Sequence, residues 1–212
     1  MHIPQPHIPH KARTVPATSG ARQRPSAALV IVALLAVFSA SACGNPDLDA
    51  VKHYKLFLEN ARPALNKMNH TREELFNLTE PDKMLELFEA DLLPQVQELT
   101  RLANQHPTPD VRRLAEIHIT LRNVLENYAD STAKLVERLT TVTREEAKAQ
   151  RALAAAGADP RADEKAEEAH SKVLFDREQA LIFWGHEDQR FGKDMSALVD
   201  DLKRYLDELT KR

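Results

Sequence analysis

Two places in this chain space polar side chains as chemistry would need them. Glu167 and His170 form an E-x-x-H pair on a helical stretch. That spacing puts both side chains on one helix face, as di-metal helical bundles do with two of their ligands. Such a centre needs a second copy of the motif and two further carboxylates. The chain has no second copy, so the pair reads as a solvated helix face. The other place is Gly185-His186-Glu187-Asp188. Together with His118 and Arg177, the residues His186 and Asp188 interrupt or border the apolar pattern of two long helical segments, and these four are the candidates for holding a small ligand or a metal ion. Polar residues at core positions of paired helices more often fix register than bind anything. No resident metal and no cofactor is therefore assigned. Nor does the chain contain G-x-S-x-G, H-E-x-x-H, a phosphate-binding loop or a dinucleotide fingerprint. The expectation is a protein that is not an enzyme.

The single cysteine, Cys43, has a particular setting. Residues 1–26 are rich in Pro, His and Ser and carry Arg22 and Arg24 near their end; the stretch 27–38 then reads AALVIVALLAVF without a charge. This is the pattern of a basic n-region followed by an apolar h-region. The uncharged run over 27–42 would span about 24 Å as a helix, short of the ~30 Å hydrocarbon core that a membrane-crossing helix must match. Small residues follow, in the order Ala40-Ser41-Ala42-Cys43-Gly44. This boundary resembles the lipobox of bacterial lipoproteins, departing from it at Ala40, where Leu is usual. The resemblance implies that 1–42 is a cleaved signal peptide, that Cys43 becomes the acylated N-terminus, and that residues 43–46 form a short anchored lead into a domain over 47–212. It also implies the cell envelope, with Gly44 after the cysteine pointing to the periplasmic face of the outer membrane. Ala40-Ser41-Ala42 is equally an A-x-A site for ordinary signal peptidase, which would give a secreted or soluble periplasmic protein with a free thiol. Three acyl chains anchor stably where one is marginal.

Composition narrows the remaining part. The chain has 212 residues, and the 170 from Cys43 onward suit one domain. Of the 29 Lys and Arg, four precede Cys43 and no acid does, leaving 25 basic against 32 acidic residues. Phosphate contacts need clustered Lys or Arg, so nucleic-acid binding is set aside. Aromatic residues are only 5% and Gly only 5 in number, whereas Leu, Ala, Glu, Lys and Arg dominate, which is the composition of long helices.

An all-α fold is expected, an elongated antiparallel four-helix bundle with helices over about 46–78, 80–105, 109–156 and 160–211. The starts carry Asn45-Pro46-Asp47, Thr79-Glu80-Pro81-Asp82, Thr108-Pro109-Asp110 and Asp159-Pro160, combining capping residues with Pro or acid in the first turn. Thr71-Arg72-Glu73-Glu74 reads as a weaker capping box that restarts a turn after Asn69 and His70. Pro63 and Pro94 should kink the first two helices. In the last two, apolar residues recur in alternating steps of three and four, from Val111 to Leu153 and from Leu174 to Leu209. That is the heptad pattern of a coiled-coil hairpin, turning at Gly157. Gly185 and Gly192 read as a close-approach strip for the first helix or as a flexible point.

Forty-eight residues of helix span about 72 Å and twenty-six about 39 Å, so the shorter helices can cover only half of the hairpin. The covered half should lie beside the membrane, because only Gly44 to Pro46 separate Cys43 from the first helix. The uncovered arm around Gly157 then reaches outward to an envelope protein partner. No 34-residue repeat of tetratricopeptide type is present.

Overall fold

A computed structural model describes residues 46–156 and 160–211, and helix is the only regular structure among them. The expected signal segment, Cys43 and Gly157, where the turn of the hairpin is expected, lie outside the described residues. No described helix is long and apolar enough to cross a membrane.

Helix α1 runs over Pro46–Asn77 with Asp47 and Asp49 in its first turn. Pro at the start needs no hydrogen bond there, and the acids face the positive end of the helix dipole. The helix continues unbroken through Pro63 and through Thr71. The expected restart at Thr71 does not occur: this residue is buried in mid-helix, its hydroxyl 3.2 Å from the Lys67 carbonyl and 3.1 Å from Gln95 Oε1. A threonine that can return its hydroxyl to the carbonyl four residues back has no need to cap.

The second segment is one path in three parts, α2 (Pro81–Leu87), a π turn (Phe88–Leu92) and α3 (Leu93–Gln105). The bend expected at Pro94 arrives as this wider turn just before it. Proline lacks an N–H and its ring collides with the carbonyl four residues earlier, and a π turn opens the backbone enough to admit it. The same turn delivers Phe88 and Leu92 to the core, both fully buried. Helix α3 stops because His106 precedes Pro107 and takes an extended conformation, with ψ of 127°. Helix α4 then begins at Arg112, three residues later than expected, with the Val111 carbonyl accepting its first turn from Ala115.

Helices α4 (Arg112–Ala156, 45 residues) and α5 (Pro160–Thr210, 51 residues) pack side by side along the molecule. Their heptad positions are the buried ones. Leu114, His118, Leu125, Tyr128, Thr132, Leu135 and Leu139 line α4, and Trp184, Asp188, Phe191, Met195, Leu198, Leu202, Tyr205 and Leu209 line α5. Val199 and Leu206 are buried too, widening the stripe where more helices meet.

The continuous core joins all four segments but ends at Leu139 on α4 and Ala180 on α5. Beyond it, Val142, Ala149 and Ala166 are buried yet stand apart from that core; the second segment still reaches Thr140 and Thr143, and past them the seam lies between α4 and α5. Burying a Leu or Phe contributes about 1.5–3 kcal/mol, and an alanine far less. The arm thus relies on the helix-forming tendency of its Ala, Glu, Lys and Arg residues. A half-buried ion pair, Arg177 Nη1 to Glu146 Oε2 at 2.6 Å, pins the two helices together there.

The glycine strip does not form. A Cβ on Gly185 would meet nothing within 4 Å, and one on Gly192 would touch only the Arg72 side chain at 4.0 Å. Helix α5 runs straight through both, so neither close approach nor a flexible break is present.

Candidate functional site

The four candidate residues occupy different places. His186 is exposed, while Arg177 belongs to the arm through its pair with Glu146. Asp188 and His118 are both buried, at separate levels of the base. Glu146, the partner of Arg177, is 28 residues from His118 along α4, which at 1.5 Å per residue is about 42 Å. No single pocket gathers them. Glu167 is exposed and His170 half-buried, and among the described residues no three His, Cys, Asp or Glu side chains come together to hold a metal ion.

Asp188 is the centre of a charged cluster. Arg72 reaches it from α1 in a two-pronged contact, Nε to Oδ1 at 2.5 Å and Nη2 to Oδ2 at 2.9 Å. The Tyr128 hydroxyl donates to Oδ1 at 2.8 Å from α4, and Arg72 Nη1 donates to Asn69 Oδ1 at 3.0 Å. Below the guanidinium the rings of Tyr128 and Phe191 stack 4.1 Å apart, and the Arg72 carbon sits 5.1 Å from the Phe191 centroid. Side-chain exposure is 14% for Arg72 and 3% for Asp188. Burial works against the charge on Arg72, but the hydrogen bond and charge of Asp188, with Tyr128, outweigh it and raise its pKa. Burial, then the neighbouring carboxylate, pushes the Tyr128 phenol up, so it stays a neutral donor. Every oxygen of Asp188 is in use. This cluster ties α1, α4 and α5 together at one register, with both oxygens of Asp188 engaged in it.

His118 is the centre of the second cluster. Its ring is fully buried, with Nδ1 3.4 Å from the Tyr54 hydroxyl of α1. Edge-to-face contacts surround it, with centroids 5.6 Å away for Tyr54 and Phe57 and 5.3 Å for His106. His106 in turn stacks on Phe57 at 4.5 Å. Burial above all, then the nearby His106 and Arg122, hold the His118 imidazole below its ordinary pKa, against the carbonyls of His106 and Ala103, which favour its charge. His106 is lowered as well, by burial and then by His53. Burial also raises the Tyr54 phenol. The result is a neutral aromatic plug joining α1 to the turn between α3 and α4.

Arg72, Asn69, Tyr54, Phe57 and His106 were not among the residues singled out by spacing. Arg72 had a signal: the steps of three and four that run Val51, Tyr54, Leu58, Ala61, Leu65, Met68 arrive next at Arg72 and then Leu75. An arginine on an apolar stripe calls for an acid on a facing stripe, and Asp188 is that acid. His106 lies in a turn, outside any period, and nothing local marks it.

Compared with known proteins, the chain matches no family model, no curated protein and no solved structure.

Proposed function

We propose that this protein is a lipid-anchored helical bundle of the bacterial cell envelope that works by protein contact rather than catalysis, with the α4–α5 arm as its contact element. The observation that carries this reading is the end of the continuous core at Leu139 and Ala180, with the two helices running on past the last neighbours of the second segment, at Thr143, to 156 and 160. The thirteen residues of α4 beyond Thr143 project the arm by about 20 Å. A marginal two-helix projection contributes little to holding the base together, so its length needs another reason. A reach toward a partner is one. The two buried clusters support the same view, since each packs side chains of α1 against other helices of the base, although Asn69 Nδ2 and His118 Nε2 are buried there without a hydrogen-bond partner.

Orientation follows from the anchor. Helix α1 begins at the end of the molecule occupied by the α3–α4 turn, because Tyr54 meets His106 and His118 there, while Phe76 at its other end meets Trp184. Acylation of Cys43, three residues before Pro46, would hold that end at the bilayer and point the arm away from it. Replacing 148–172 by a short turn tests the proposal. The base should stay folded, as judged by Trp184 fluorescence, and crosslinking to the partner in cells should be lost. Capture that survives the deletion would overturn the arm's role, and mass spectrometry of the mature N-terminus tests the lipid.

A further inference from the structure

The His118 cluster differs from the Arg72 cluster in one respect: among the described residues no carboxylate forms an ion pair with either of its imidazoles, the half-buried Asp47 lying two turns before Tyr54 on α1. The groups facing the two imidazoles are His53 and Tyr54 from α1 and Arg122 from α4, each neutral or cationic. Helix α3 and its following turn offer carbonyls to His118, that of His106 first and then that of Ala103. The Ala103 carbonyl lacks its helical donor because residue 107 is proline. At this level α5 presents the buried Leu198, Val199 and Leu202. Its nearest acids, Asp194, Asp200 and Asp201, line the surface beside Thr120 and Val124. Thr120 is about 200° round α4 from His118 at 100° per residue, so those carboxylates lie on the other side of the helix.

Helix α1 is held at its two ends by different means. Its first half is fixed by Tyr54 and Phe57 packing on His106 and His118, its second half by Arg72 on Asp188. Pro63 stands between the halves, and without an N–H it leaves the Glu59 carbonyl without its helical bond, a weak point in an otherwise continuous helix.

We propose that the Tyr54–Phe57–His106–His118 cluster is an acid-opened latch: protonation of the two histidines releases the first half of α1 from the base while Arg72 and Asp188 keep the second half docked, with Pro63 as the hinge. The direction follows from linkage. Imidazoles held neutral in the closed state recover an ordinary pKa of about 6.5 once exposed, so the open form takes up protons as the pH falls below that value. The clamp of Arg72 on Asp188 contains no imidazole, so the proton uptake that opens the latch does not act on it. In the envelope location proposed above, the surroundings would supply such a pH change, but the latch itself rests only on the packing of the base.

Amide hydrogen exchange on the full chain at pH 7.5 and pH 5.2, corrected for the intrinsic dependence of exchange on pH, tests this directly. Protection over 47–62 should fall by roughly tenfold at the lower pH while that over 66–76 and 184–195 changes little. In His118→Phe, which keeps a flat apolar ring and removes the titrating group, the fall should be largely abolished. His106→Asn, at a half-exposed position, should reduce it and serves should the first variant not fold. Equal loss in both halves of α1, no loss at all, or an undiminished loss in the variants would overturn the latch.

Discussion

Removing the carboxylate of Asp188 while leaving Arg72 in place should be the most damaging single change in the base. In Asp188→Leu the guanidinium stays beside the stacked Tyr128 and Phe191 rings, on a side chain that is 14% exposed, but loses two charge-assisted hydrogen bonds at 2.5 and 2.9 Å. Tyr128 loses its acceptor as well. Breaking a buried pair from one side costs about 3–5 kcal/mol, most of it the penalty of an uncompensated charge. For a domain of this size each kcal/mol moves Tm by about 2–4 °C, so the expected loss is about 6–20 °C. Urea unfolding followed by circular dichroism gives the free energy, and Trp184, one turn before Asp188, gives a local signal of the same transition. The companion variant Arg72→Met with Asp188→Leu replaces both charges by apolar groups of similar bulk. It should regain most of the lost stability, because the pair's own net contribution is small once desolvation is counted. A single variant within about 1 kcal/mol of the parent, or a double variant as unstable as the single, would refute this reasoning.

Four further outcomes follow from the same structure. Gly185→Ala should stabilise the protein by about 0.5–1 kcal/mol in urea unfolding, since the added methyl meets nothing within 4 Å and a helical glycine is replaced by the best helix former. Tyr128→Phe should cost about 1–3 kcal/mol by leaving Asp188 short of one donor, without changing the m-value. Because His106 and His118 are lowered in the fold, stability should be full above about pH 6.5, decline as pH falls below it, and level off beneath the lowered native values. Stability that rises on acidification through this range would contradict that sign. Glu146→Gln should loosen only the arm, raising hydrogen exchange over 142–153 and 166–178 and leaving base protection intact.

The long hairpin was legible because heptads repeat many times along it, and each repeat adds evidence for the same face. Leu125, Leu135, Phe191 and Leu202 fall buried on that pattern alone. The second segment was less so. A π turn is a local answer to Pro94 and to the need to place Phe88 and Leu92 side by side in the core, and such a compromise is set by tertiary packing. Thr71 shows a related limit, since its sequence neighbours resemble a cap and only the buried Gln95 opposite explains why the helix carries on. Of the polar interruptions, Asp188 was visible as an oddity on an apolar stripe, but its partner Arg72 was hidden in a segment read as a turn. His118 was visible and His106 was not, because a turn residue's neighbours are decided by where the turn lands.

These features together describe a base built to stay in register and an arm that the base does not need. Site-specific photocrosslinking in cells tests that division most directly, with the crosslinker placed at exposed arm positions Arg151 or Glu164 and, for comparison, at exposed base positions Glu126 or Asp200. The expected result is a discrete adduct of the same mass from both arm positions and none from the base. Adducts confined to the base positions, or equal labelling from all four, would contradict a contact role for the arm.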